Sequence, residues 1–247
     1  MKLKQSYQTF PFPKEKPKLS ARFRGAPVLQ PSLCPDKCHD CIEACPTGAL
    51  FKEKESLKID LGKCLFCVEC KNNCTHGAVS FSGDYRLAVR NRKDLIITES
   101  DTLKLATELN KKTKKLFGRS LKLREVSAGG CNGCEVEVNV MNTVVFDLGR
   151  FGIQFVASPR HADGLLITGP VTENMKVALH KTYDAVAHPK IVIAVGACAI
   201  SGGPYIDHDE VHNGADSLLP VDLYIPGCPP HPYTILDGLL RLLGRNK

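Results

Sequence analysis

The chain has 247 residues, 43% of them hydrophobic, and a formal net charge of +7. This length supports two domains with buried cores, but no apolar stretch reaches the roughly 18 residues needed to cross a bilayer, and no signal peptide is evident. Twelve cysteines in an unexported chain point to a reducing compartment where thiolates bind metals rather than pair as disulfides, so a cytoplasmic location is expected.

The charge is uneven: residues 1–120 carry 23 Lys and Arg against 13 Asp and Glu, and residues 121–247 carry 10 against 13. A basic half can mark nucleic-acid binding, but no basic motif interleaved with aromatics accompanies it, and no nucleic-acid partner is expected. Metal clusters held by thiolates are negatively charged, and the basic excess offsets them.

Residues 1–33 hold Pro11, Pro13, Pro17, Pro27 and Pro31 with Phe10, Phe12 and Phe23 among them. Proline denies the stretch a helix or a central strand. An extended arm is expected, its aromatics lying on another surface. Eight cysteines follow in residues 34–83, as Cys34-x3-Cys38-x2-Cys41-x3-Cys45-Pro46 and Cys64-x2-Cys67-x2-Cys70-x3-Cys74. In such runs three thiolates hold one [4Fe–4S] cluster and the fourth crosses to the other. The expected sets are Cys34, Cys38, Cys41 and Cys74, then Cys64, Cys67, Cys70 and Cys45. A repeat agrees: Cys38, Cys41, Cys45, Gly48 and Ala49 recur as Cys67, Cys70, Cys74, Gly77 and Ala78. Zinc, which takes four ligands in two pairs, fits these runs poorly. The stretch resembles the two-cluster ferredoxins, with two departures: an extra residue between Cys34 and Cys38, and Thr75 where that family has proline. Arg22-Phe23-Arg24-Gly25 is similar to the lead-in of ferredoxin-type subunits of complex I and of formate hydrogenlyase-type hydrogenases.

Residues 84–120 read as a basic linker. Short strands are expected at Leu87–Val89 and at Leu95–Ile96. A helix is expected over Thr102–Phe117, capped by Asp101 and stopped by Gly118, with a basic end at Lys111, Lys112, Lys114 and Lys115. Such an end suits a membrane surface, an acidic partner or plain solvent.

Residues 121–247 alternate strands (Leu121–Val126, Ile153–Val156, Gly164–Thr168, Lys190–Val195, Val221–Ile225) with helices (Cys134–Leu148, Glu173–Val186, Tyr233–Leu243). The fold class is therefore α/β: a small α+β cluster-binding domain followed by an open, mostly parallel sheet with helices on both faces. Ligands of such sheets lie beyond the carboxyl ends of the strands. Cys131, Cys134, Cys198 and Cys228 all follow strand ends, enough for a third [4Fe–4S] cluster, with zinc as the competing occupant.

Four segments carry a second resemblance: Cys131-Asn132-Gly133-Cys134-Glu135, Ser158-Pro159-Arg160-His161-Ala162-Asp163, Gly196-Ala197-Cys198 and Pro226-Gly227-Cys228-Pro229-Pro230. They resemble the small subunits of membrane-bound, group 4 [NiFe]-hydrogenases of the formate hydrogenlyase type, and the related B subunit of complex I. That last family usually has adjacent cysteines where this chain has Cys131-x2-Cys134. The resemblance implies an iron–sulfur electron-transfer subunit whose third cluster faces a nickel–iron site in a partner large subunit. It also implies a redox partner protein and a peripheral place on the cytoplasmic face of the membrane, held by other subunits. The other readings are the equivalent subunit of a complex I-like or nickel-free oxidoreductase, and a stand-alone ferredoxin-like carrier or sensor. The strand-end rule also places Arg160, His161 and Asp163 on the third cluster's rim. Glu135 and Glu137 are either proton relays or charges stabilising a helix start.

Overall fold

A computed structural model describes residues 8–35, 38–54, 56–99, 103–109, 117 and 120–246. In the N-terminal half, β1 (Pro27–Leu29) pairs antiparallel with β4 (Val79–Phe81). β2 (Leu50–Glu53) and β3 (Ser56–Asp60) form a hairpin, to which β5 (Ile96–Ile97) adds. Two single-turn helices, α1 (Asp40–Glu43) and α2 (Glu69–Asn72), pack against each other at equivalent places of the repeat.

The C-terminal half is a five-stranded parallel sheet in the order β10-β9-β8-β6-β7. Its strands are β6 (Leu121–Ser127), β7 (Ile153–Phe155), β8 (Gly164–Thr168), β9 (Ile191–Val195) and β10 (Leu223–Ile225). β8 reads Gly-Leu-Leu-Ile-Thr, β9 reads Ile-Val-Ile-Ala-Val, and every residue of both is buried. Continuous apolar runs of this kind belong to strands covered on both faces. The covering helices are α3 (Gly133–Val140), α4 (Glu173–Ala185), α5 (Ala197–Ser201) and α6 (Pro232–Leu242). Helix α6 starts on Pro232 with the His231 ring accepting from the Tyr233 N–H at 3.1 Å, a side-chain cap on an orphan donor.

Three expectations change. Helix α3 stops at Val140 and does not run to Leu148. β-Branched Val138, Val140, Thr143, Val144 and Val145 favour helix weakly, and Asp147 takes a left-handed φ of 45° before a short 3₁₀ turn at Leu148–Phe151. Residues 103–109 are not helical. The Ala106 N–H donates to Ala88 O at 2.7 Å and the Leu109 N–H to Leu242 O at 2.9 Å, so long-range partners hold donors that a helix would use internally. Asp101, Gly118 and the four lysines of the expected helix lie outside the described residues. Finally, β5 is displaced by one residue from Leu95–Ile96, and of Leu87–Val89 only Val89 pairs, in an antiparallel bridge to Tyr224.

The arm lies on the chain's own C-terminal half. Phe10 and Phe12 pack on the Tyr233 ring, at centroid distances of 5.8 and 5.3 Å, and Arg150 donates to the carbonyls of both phenylalanines. Phe12 is 5% exposed and belongs to the core that contains β6, β9 and α6. Phe12→Ala should therefore cost about 3–5 kcal/mol. The checks are a lowered thermal midpoint and faster proteolysis within the arm.

Candidate metal centres

All twelve cysteines are free thiols, and the fold gathers them into three sets. Around Cys41 stand Cys74, Cys34 and Cys38; burial first, and then these neighbours, push its thiol up to about 11. Around Cys70 stand Cys45 and Cys67, and burial again leads in pushing it up to about 12. Cys64 is likewise pushed to about 12 by burial, opposed by a hydrogen bond from the Phe66 N–H, with Cys70, Cys45 and Cys67 beside it. The third set forms on the sheet. Burial, then Cys228 and Cys131, push Cys198 up to about 12, and Cys134 is raised further by burial and by Cys198, Glu135, Cys228 and Cys131.

Two electrostatic influences cross between sets. Cys41 of the first set raises Cys70 of the second, and Cys67 of the second raises Cys228 of the third. The sets thus stand in the order first, second, third.

The local backbone suits sulfur-rich occupants. In each half of the repeat the N–H four residues on donates to the crossing thiol: Ala49 to Cys45 Sγ and Ala78 to Cys74 Sγ, both at 3.2 Å. Gly48 (φ +60°) and Gly77 (φ +69°) make the left-handed turns that aim these donors, which is why glycine recurs there. Cys45, Cys64, Cys67 and Cys70 line one small pocket with Leu50, Ile59 and Phe81. In the third set, a Cβ on Gly196 would stand 2.5 Å from Cys134 Sγ, and one on Gly203 would stand 2.8 Å from Cys198 Sγ. Among the described residues, no three His, Cys, Asp or Glu side chains converge on a point as a single metal ion requires. Residues 36 and 37, within the lengthened Cys34–Cys38 spacing, lie outside the described residues.

Asp163, which ends the loop after β7, is not on the cysteine rim. The Asp163 N–H donates to Lys122 O at 2.7 Å, and its Oδ2 accepts from the Lys122 N–H at 2.7 Å. That pairing ties Asp163 to the amino end of β6, whereas Cys131 follows the carboxyl end. The chain crosses from β7 to β8 at the level of Leu123, which both strands pair with, so the strand-end rule does not apply to this connection. Arg160 and His161 are exposed there.

Glu135 is buried. It accepts from the hydroxyls of Ser127 and of Thr168, the latter at 2.7 Å. Beside it, Glu125 has a buried Oε1 with no hydrogen-bond partner, and burial, reinforced by Glu135, pushes its carboxyl up to about 7. This second carboxyl escaped the sequence reading because a glutamate in a half-exposed strand looks like ordinary surface.

Residues 131–242 match the family model described as NADH ubiquinone oxidoreductase, 20 Kd subunit. A probable membrane-bound hydrogenase subunit from Pyrococcus furiosus is 43% identical over 129 residues, covering 52% of this chain and 77% of that one. The chain belongs to this family. Formate hydrogenlyase subunit 7 of Escherichia coli is 47% identical over 130 residues, 53% of this chain and 51% of its own length. The NADH-quinone oxidoreductase B subunit of Clostridium beijerinckii is 48% identical over 110 residues, 44% of this chain and 65% of that one. The chain thus spans about half the length of the formate hydrogenlyase subunit. It is a component of an oxidoreductase complex, and its twelve cysteines suit iron–sulfur binding. Among the described residues no helix is long and apolar enough to cross a membrane.

Proposed function

We propose that the chain is the electron-transfer subunit of a membrane-bound, [NiFe]-hydrogenase-type complex, joining a ferredoxin-type module to a hydrogenase small-subunit domain. One observation supports the reading: the buried thiols have other thiols as neighbours in three groups, with Cys41 of the first near Cys70 of the second and Cys67 of the second near Cys228 of the third. Each set would hold one [4Fe–4S] cluster, and such clusters supply one-electron transfer when bound. The chain's own residues place the sets in line, bury Cys41, Cys64, Cys70 and Cys198, and donate N–H groups to sulfur, which tunes the potentials. Cys131 and Cys228 are exposed, which suits a third set covered by a partner large subunit carrying the nickel–iron site. A redox protein would exchange electrons with the ferredoxin end, and partner subunits would hold the chain on the cytoplasmic face of the membrane.

The likeness to the NADH-quinone oxidoreductase relative supports a second reading, a nickel-free or quinone-linked complex. The co-purifying large subunit separates the two, since four nickel-binding cysteines there would mark a hydrogenase. A chain that purifies from its native cell without partners would be a stand-alone carrier instead.

Anaerobically purified protein should contain about twelve iron and twelve sulfide per chain, four of each per cluster. About eight iron with tightly bound zinc would overturn the third cluster.

A further inference from the structure

Cys64 of the second set and Cys198 of the third lie close in sequence to the two ends of one buried hydrogen bond. Ser201, which closes helix α5 three residues after Cys198, donates its hydroxyl to Gly62 O at 2.7 Å; Gly62 stands two residues before Cys64. Ser201 is 5% exposed. The Gly62 side of this contact is itself held. Asp60 Oδ1 accepts from the Gly62 N–H at 2.8 Å, and Asp60 O accepts from the N–H groups of Lys63 and Cys64, both at 3.1 Å. Arg92 grips the Asp60 carboxylate in a bidentate pair at 2.8 and 2.7 Å, a geometry that fixes orientation as well as energy. There is no slack at the contact: a Cβ on Gly62 would stand 2.7 Å from both Arg92 Cζ and Ile200 Cγ2. Ala194, Ala199, Ile200 and Tyr224 share one apolar core with the N-terminal half.

We propose that Ser201, together with the Asp60–Arg92 pair and the bare backbone of Gly62, is a clasp that sets the separation of the second and third thiol sets. These are positioning residues; none lies among the candidate ligands. The inference rests on the reading that these sets hold clusters in series. Electron transfer through protein weakens steeply with distance, so a clasp between two centres controls rate without touching either. Glycine at 62 lets the halves close, and serine at 201 pins them.

The experiment uses the intact complex, purified anaerobically and fully reduced, with Ser201→Ala and Gly62→Ala variants. Iron content and dye-linked turnover should match wild type, while the EPR spin–spin splitting between the second and third clusters narrows. It should narrow more for Gly62→Ala, which wedges the contact, than for Ser201→Ala, which only unpins it. Wild-type splitting in both variants would overturn the clasp. Donor-linked turnover separates this inference from the reading beneath it. A several-fold fall accompanying the narrowed splitting supports both. Narrowed splitting with unchanged donor-linked turnover leaves the clasp standing and removes the ferredoxin half from the electron path.

Discussion

Cys70→Ala should abolish electron delivery from the physiological donor while leaving the complex assembled and the third cluster visible by EPR. Cys70 is buried, with the Cys45 and Cys67 thiols near it and Cys41 of the first set also raising it. Losing its thiolate therefore damages the second cluster and breaks the link at its midpoint. The third set is built on the β6, β9 and β10 strand ends. The main core of that sheet does not include Cys70; Cys70 packs in the separate core that Ala194, Ala199, Ile200 and Tyr224 share with the N-terminal half, so the sheet that carries the third set should survive. A small dye that reaches the partner's metal site directly should still support turnover of hydrogen. Donor-linked turnover that persists with the second cluster demonstrably absent would leave the ferredoxin half a structural role only.

Gly196→Ala should erase the third cluster. Gly196 has φ +91° and ψ 156°, backbone reserved for glycine, where another residue costs about 1–3 kcal/mol. The more serious effect is local, because the new methyl would sit 2.5 Å from Cys134 Sγ, with the Gly227 carbonyl oxygen 3.5 Å away on another side. The thiol must leave its place. Iron should fall from about twelve to about eight per chain, and donor-linked turnover should vanish, since the donor's electrons reach the partner through this cluster. Gly48→Ala is the control. Its φ is +60°, but nothing lies within 4 Å of the added methyl, so it should cost about 1–2 kcal/mol of backbone strain and keep all the iron. A Gly196→Ala protein with full iron content would show that Cys134 is not a ligand.

The parallel sheet was legible because β8 and β9 are continuous apolar runs bounded by turns, a pattern set by burial on both faces. The duplicated turns of the N-terminal half were legible from the repeat, since equivalent cysteines occupy equivalent turns. Other features depend on partners distant in sequence, and no local pattern reports those. Residues 103–109 have helical spacing, yet Ala88 and Leu242 take their N–H groups. The Ser158–Asp163 loop follows a strand, yet it crosses back at Leu123 and its Asp163 is tied to Lys122. Nothing in the sequence joins Gly62 to Ser201. The sheet order was equally hidden, because placing β6 between β8 and β7 requires a crossover that short-range spacing does not specify.

The aromatic seat of the arm has a consequence for biosynthesis. Phe10 and Phe12 leave the ribosome long before Tyr233, the ring they pack on, and Arg150, which holds their carbonyls, emerges in between. Until then Phe12 has, among the described residues, only Tyr85 as a ring partner, while the N-terminal cysteine runs are already complete. Nascent chains stalled before residue 232 would present Phe10 and Phe12 to chaperones, and those released after it would not. Completion of the N-terminal cysteine runs and closure of the arm are thus separate events in the life of one polypeptide, the second gated by synthesis of α6.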